Sequence, residues 1–419
     1  MHFLHIADIH LGYQQYNSEE RLNDFGMAFE KAISYGVKRG VDAILIAGDL
    51  FHKATVEPFP FIQAAEALAL ARGANIPVIA VEGNHDQARY RDRISWLEVL
   101  AHEGYLALLS PELEDRFMNL IPWEGVQGSY IDLGHVRIIG VPWLGSALAF
   151  WLSRLIRAIE RLPDDDITCT VLLTHAGIEG QMPQHIPGCL TGEQLAPLRD
   201  YIDYMALGHL HKPFQQEGWL YNPGSLETCA MQERKWERGM YEVTVEPNGM
   251  FSAEHIKLSP RPFFRKSFSV NSYSTPANVY NDIREMLREH AAKWNADGRK
   301  PVVEINLVGM LEFDRADLDL EMIRKTIKEE IEPLVARVNA NTLTFRGLDL
   351  TPEETLSAQE VERLVLREIA LSDRRYATHS DAWANVMLDI KERVLKGSSP
   401  ESIVATLEAH LEAIEEEGV

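Results

Sequence analysis

Five short apolar runs in this chain each end in residues of metal-ligand type: Asp8-Ile9-His10, Gly48-Asp49, Gly83-Asn84-His85-Asp86, His175 and Gly208-His209-Leu210-His211. In open α/β sheets, ligands collect beyond the carboxyl ends of the strands, so five strands delivering Asp, Asn and His there describe one polar site. The residue types describe a two-metal centre. Two divalent ions about 3.5–4 Å apart clamp a phosphoryl group, activate a bridging water and stabilise the leaving oxygen. Such a pair needs a bridging carboxylate. Asp49 is the natural candidate, because it follows an apolar strand and a glycine that lets the backbone approach closely. Asp8 and His10 supply terminal ligands to one ion, while Asn84, His175 and His209 suit the other. Residues i and i+2 of an extended segment point the same way, so Asp8/His10 and His209/His211 are each expected to converge on one side. Imidazole, carboxylate and amide donors without a thiolate favour manganese, with Mg²⁺, Fe²⁺ and Zn²⁺ as other ions the set accommodates.

Two further histidines belong to the same chemistry. His85 adjoins a ligand yet does not share its direction, so it is free to approach the phosphate and protonate the leaving oxygen. His52 lies on the loop after Asp49 and is placed to orient the same substrate. Any one Asp or His at a strand end is more often a cap or a surface residue; the combination reverses that reading. His5 falls inside the first strand pattern and reads as a hydrogen-bonded core residue. His102, His135, His185, His255, His290, His379 and His410 fall in no comparable motif and read as structural or solvated.

The elements that position these residues follow from periodicity. Apolar runs at His2–Ala7, Ala43–Ala47 and Pro77–Val81 alternate with helical patterns near Asn23–Lys38 and Phe59–Arg72, which predicts βαβ units with buried parallel strands. Short strands follow between Arg116 and Val141, then a helix near Leu148–Arg161. Strands Thr170–Thr174 and Tyr204–Leu207 bring in the last ligand loops, and Gly239–Val245 with Phe251–Leu258 forms a closing hairpin. The first domain, residues 1–258, ends before Ser259-Pro260-Arg261-Pro262, a linker in which two prolines resist both helix and central strand. Strand and helix alternate again over 263–346 in a small α/β domain. From 352 to 419 the chain is helical, with stripes Val361/Leu364/Val365, Trp383/Val386/Met387/Ile390/Val394 and Ile403/Leu407/Leu411/Ile414. Those faces pack on the preceding domains or dock on a partner.

Composition bounds the class. The 419 residues, 46% of them hydrophobic, suffice for several cores. Three dispersed cysteines, Cys169, Cys189 and Cys229, give neither a disulfide framework nor a Cys-based zinc site and fit a reducing, cytoplasmic setting. No leader pattern opens the chain and no membrane-spanning run occurs in it. A net charge of −22 repels polyanions at long range, but residues 261–300 carry eight Lys/Arg against four acids. That segment is either a nucleic-acid contact or a solvated helix face.

Taken together, the motifs Asp8-Ile9-His10-Leu11-Gly12, Gly48-Asp49-Leu50-Phe51-His52, Gly83-Asn84-His85-Asp86, Thr174-His175 and Gly208-His209-Leu210-His211 resemble those of the calcineurin-like metallophosphoesterases, and within them the SbcD nuclease family. The Leu-Gly after His10 and the Leu-Phe-His after Asp49 carry the finer resemblance. It implies a four-layer α/β sandwich. It also implies Asp8, His10, Asp49 and His211 around one manganese and Asp49, Asn84, His175 and His209 around the other. His85 matches the catalytic histidine, and Asn222-Pro223-Gly224-Ser225 matches the loop after the last ligand strand. The resemblance further implies a DNA-contacting cap at 263–346, C-terminal helices that bind an SbcC-type coiled-coil ATPase, and a homodimer formed through helices of the first domain. The resulting expectation is a manganese-dependent exonuclease and endonuclease of double-strand-break repair, nucleoid-associated when at work. A small-molecule phosphodiesterase and a non-catalytic DNA-end scaffold are the alternatives. The cap and helical tail weigh against the first, and the complete ligand set weighs against the second.

Overall fold

A computed structural model describes all residues except 89–91, 126, 164–165, 183–187, 346–357, 372–374 and 418–419. His185 and the junction expected between residues 346 and 352 lie outside the described residues. Contacts divide the chain into two units, Met1–Arg261 and Pro262–Val419.

The first unit is built on two six-stranded sheets. One runs in the order Phe251–Leu258, Arg238–Val245, His2–Ile6, Ala43–Ala47, Val78–Val81 and Ala107–Leu108. The other runs Phe214–Gln216, Leu220–Asn222, Tyr204–Gly208, Cys169–His175, Val136–Val141 and Tyr130–Leu133. Strands that carry the site pair in parallel, with Phe3 opposite Ala43, Ile44 opposite Val78 and Gly208 opposite His175. All their motif loops therefore leave from one edge.

Both faces of each sheet are covered, which explains why the strands read as continuous apolar runs. Leu4, Ile6, Ile44 and Ile46 face the helices Glu19–Arg39 and Pro58–Gly73 through Phe29, Ile33, Ala64 and Leu68. Phe3, Leu45, Ile79, Val171, Leu173 and Val243 fill the space between the sheets. Ile139, Leu172, Met205 and Leu207 meet Leu148, Leu152 and Leu155 of the helix Leu148–Ile159. The result is a helix–sheet–sheet–helix sandwich with three apolar layers. A short helix, Trp96–His102, was not anticipated from periodicity; its capping box of Ser95 and Glu98 is nevertheless written in the sequence.

His5 is fully buried between the sheets. Its Nε2 donates to the Leu207 carbonyl at 2.9 Å, so its Nδ1 accepts from the Tyr204 hydroxyl at 3.0 Å. Burial pushes its pKa down to about 3. The unfolded chain takes up this proton near pH 6.5 and the folded one does not, so His5 lowers stability as pH falls from 6.5 towards 3. In His5→Gln, which keeps a donor for Leu207, acid unfolding curves are expected to flatten across that window; an unchanged slope contradicts this.

The second unit holds a parallel sheet of Phe263–Ser269, Val302–Leu311 and Val335–Phe345, covered by helices Pro276–Trp294 and Leu320–Ile331. Val279, Ile283, Leu287, Ile323 and Ile327 form its core. Three helices follow: Ala358–Leu371, Ser380–Leu395 and Pro400–Glu417. Much of the charge of residues 261–300 is taken up in ion pairs: Arg265 with Glu304, Arg284 and Arg288 with Glu330, and Arg299 with Asp297. Among the described residues, no helix is long and apolar enough to cross a membrane.

Candidate metal centre

Three of the five ligand loops leave their strands through a backbone conformation that side chains rarely adopt. Asp8 (φ 51°), His10 (φ 54°), Asp49 (φ 54°) and His209 (φ 88°) all lie in the left-handed region. Four non-glycine residues of this kind in one place mark a site where surrounding structure imposes local strain. They also correct the reason given above for convergence. Asp8/His10 and His209/His211 meet through turned backbone, not through the period-2 geometry of an extended segment. Glycines make the approach possible: a Cβ on Gly83 would fall 2.1 Å from Asp49 Oδ1, and one on Gly48 2.5 Å from His175 Nδ1.

Asp49 is the centre of the arrangement. Its Oδ2 lies 3.5 Å from His175 Nε2, 3.9 Å from His10 Nε2 and 4.0 Å from His85 Nε2, while its Oδ1 accepts the His85 backbone N–H at 2.9 Å. Asn84 Oδ1 sits 3.1 Å from both His175 Nε2 and His209 Nδ1. His10 Nε2 faces His211 Nε2 at 3.0 Å. Both carboxylate oxygens of Asp8 accept the His209 backbone N–H at 3.1 Å. All seven predicted ligands are therefore brought to one place, with His85 and His52 beside them. Neighbouring triplets, Asp8/Asp49/His175, His10/His52/His85 and His10/His211/Cys229, each have donor atoms within 4.8 Å of one another.

Tautomers decide whether this set suits a cation. His175 Nδ1 donates to the Ala47 carbonyl at 2.8 Å, so Nε2 is the nitrogen that faces Asn84 Oδ1 and Asp49 Oδ2 and is left for a cation. His211 Nδ1 donates to Glu233 Oε1 at 2.9 Å, which turns its Nε2 lone pair towards His10. His10 Nδ1 is buried without a partner among the described residues. Ring nitrogens and oxygens converging in a buried space are the donor set that a divalent ion requires.

The electrostatics agree. Burial opposes a charge on His175, yet Asp49 and Asp8 raise it to about 9, which shows where positive charge is wanted. Burial likewise opposes ionisation of Asp49, and His175, His10 and His85 outweigh it to hold that carboxyl well below its usual range. Burial and His175 push His209 down to about 3. Burial and His85 push His52 to about 4.

Several supporting roles escaped sequence reasoning. The Asp86 carboxylate accepts the N–H groups of Phe51 and Gly83, each at 2.9 Å, and so ties the second motif loop to the third. Asn222 Nδ2 donates to the carbonyls of Leu210 and Lys212, fixing the loop that carries His209 and His211. Glu233, besides receiving His211, accepts from Arg238 Nη2 at 2.9 Å and from the Cys229 N–H at 3.1 Å. The segment around Glu233 is anchored by Gln15, whose Nε2 donates to the Cys229 carbonyl, and by Arg21, whose Nη2 donates to that of Thr228. Asp86 and Asn222 lay inside recognisable motifs; Glu233, Arg238, Gln15 and Arg21 did not.

A carboxylate behind a ligand imidazole raises its basicity and fixes its plane, and losing one costs about 10–100-fold in metal affinity. Glu233→Gln is expected to weaken Mn²⁺ binding by about that factor, measured by electron paramagnetic resonance (EPR) titration. Unchanged affinity would remove Glu233 from the account.

A two-sheet sandwich with Asp, Asn and His on loops beyond its parallel strands defines the metallophosphoesterase class. The family model for calcineurin-like phosphoesterases matches residues 1–213, and the chain belongs to that family, whose members use divalent metals. Within it the chain is Mre11-like. Relatives named DNA double-strand break repair protein Mre11 include one from Aeropyrum pernix, 28% identical over 314 residues and covering 72% of each chain. The match to one from Haloferax volcanii is 27% identical and covers 99% of this chain and 87% of that one. The match to one from Methanosarcina acetivorans is 36% identical and covers 68% of this chain and 43% of that one.

Proposed function

We propose that the chain is a manganese-dependent DNA nuclease, acting as exonuclease and endonuclease in double-strand-break repair with an SbcC-type ATPase. The convergence of Asp49, Asn84 and His175 lone pairs beside His85 carries this reading. The names of the Mre11 relatives support DNA as the substrate. Asp8, His10, Asp49 and His211 would hold one ion, and Asp49, Asn84, His175 and His209 the other. When bound, the two ions would supply the water nucleophile and neutralise charge developing on the phosphate.

The protein's own groups do the rest. His85 Nδ1 donates to the His52 carbonyl at 2.7 Å, so Nε2 is the nitrogen left to carry a proton to the leaving oxygen. Its side chain is 37% exposed, open to substrate. His52 stacks between Tyr13, at 4.0 Å, and His85, at 5.4 Å between ring centroids. Its low pKa keeps it neutral, so its part is to set the plane of His85. Asn222-Pro223-Gly224-Ser225 buttresses the His209–His211 loop beside the phosphate.

For the assembly, residues 263–346 would cap the DNA and 352–419 would bind the ATPase. Val394, Leu395 and Val404 expose apolar surface suited to such docking. Phe59, Ile62 and Leu70 on helix Pro58–Gly73 suit a homodimer, which light scattering would test.

The activity is tested by stripping the protein of metal, resupplying Mn²⁺ or Mg²⁺, and offering end-labelled duplex DNA or bis(p-nitrophenyl) phosphate. Manganese-dependent degradation of DNA is expected. Hydrolysis of the small ester with DNA left intact would replace the nuclease by a small-molecule phosphodiesterase.

A further inference from the structure

The strand Val136–Val141 contributes no ligand, yet the residue two positions beyond it contacts the three segments that carry Asn84, His175 and His209. Trp143 donates its backbone N–H to the Glu82 carbonyl at 2.8 Å, and its own carbonyl accepts from Gln87 Nε2 at 2.6 Å. Glu82 and Gln87 flank the loop Gly83–Asp86, so these two bonds bracket Asn84. The indole ring then packs on both histidines of the same half. Its centroid is 4.6 Å from that of His209, tilted by 35°, and 5.9 Å from that of His175, edge-on at 77°.

The ligand imidazoles differ in how they are held. His175 is fixed through Nδ1 by the Ala47 carbonyl, and His211 by Glu233. Among the described residues, no backbone carbonyl or carboxylate orients the His209 ring; its Nδ1 meets only the amide oxygen of Asn84, itself a proposed ligand, at 3.1 Å. Its plane is left to packing, and Trp143 supplies the surface. Gly188 closes the far side: a Cβ there would fall 2.2 Å from Trp143 Cη2 and Cζ3, so the indole has no room to tilt away.

We propose that Trp143 is the positioning residue for the half-site formed by Asn84, His175 and His209, holding His209 by its aromatic face where His175 and His211 are each held by an acceptor. This rests on the two-ion reading above. It predicts an asymmetric defect, because the ring contacts of Trp143 are to His175 and His209, with none to His10 or His211 among the described residues.

The test is EPR titration of the metal-stripped full chain with Mn²⁺, comparing wild type, Trp143→Ala and Trp143→Phe. Wild type is expected to bind two ions. Trp143→Ala should keep one at wild-type affinity and weaken the other by about 10–100-fold, as for loss of other groups that orient ligands. Trp143→Phe, which retains a ring, should recover most of that loss. If the alanine variant does not fold, Trp143→Leu, which fills the space without an aromatic face, carries the same expectation. Two ions at wild-type affinity in the ring-less variant would overturn the proposal, and so would equal weakening of both. A wild type that binds a single ion would instead defeat the two-ion reading itself, so the failures are distinguishable.

Discussion

Asp49→Asn is expected to retain the fold, lose high-affinity Mn²⁺ and cut kcat/KM for phosphodiester hydrolysis by about 10³-fold or more. The magnitude follows from the several kcal/mol of charge stabilisation that metal ions supply, at 1.36 kcal/mol for each tenfold change in rate. Asp49 Oδ2 is the acceptor nearest to His175, His10 and His85 together, so its charge is shared across the site, and an amide cannot replace it. The fold should survive because asparagine tolerates the left-handed backbone at this position (φ 54°) and its amide oxygen still accepts the His85 N–H. Circular dichroism checks the fold and EPR the metal. A variant that retains both ions and near-normal rates would show that Asp49 does not bridge.

His85→Ala should separate chemistry from metal binding. Its Nε2 stands 4.0 Å from Asp49 Oδ2 while its Nδ1 is held by the His52 carbonyl, so removing the ring leaves the proposed ligands in place. Loss of a positioned general acid costs about 10²–10⁴-fold. The loss should be large on DNA, whose leaving alkoxide needs a proton, and small on bis(p-nitrophenyl) phosphate, whose leaving phenolate does not. An equal loss on both substrates would reassign His85 to binding, and weakened Mn²⁺ affinity would make it a ligand.

The strands were legible because both faces of each sheet are buried, which turns them into apolar runs such as Ala43–Ala47 with ligands at their ends. The helix Pro276–Trp294 was equally plain, opened by a first-turn proline and periodic to its last residue. The seven-residue helix Trp96–His102 is too short for periodicity and could have been found only from its cap. At the site, residue types and spacing point to the ligands but not to what orients them. Glu233 reaches His211 across twenty-two positions, and Trp143 reaches His209 from another strand; neither pairing leaves a spacing to read. The turned backbone at Asp8 and His10 was also invisible, since nothing local in Asp-Ile-His demands a positive φ. For the basic segment 261–300 the sequence leaves a nucleic-acid contact and a solvated helix face both open, and the pairing of Arg265 with Glu304 and of Arg284 and Arg288 with Glu330 leaves no spacing to read.

The most direct measurement is anomalous X-ray scattering from crystals of the protein soaked in Mn²⁺, with data collected at the manganese edge. Two peaks about 3.5–4 Å apart, with Asp49 between them, are expected. One peak, or peaks away from Asp49, would contradict a two-ion centre built on these five loops.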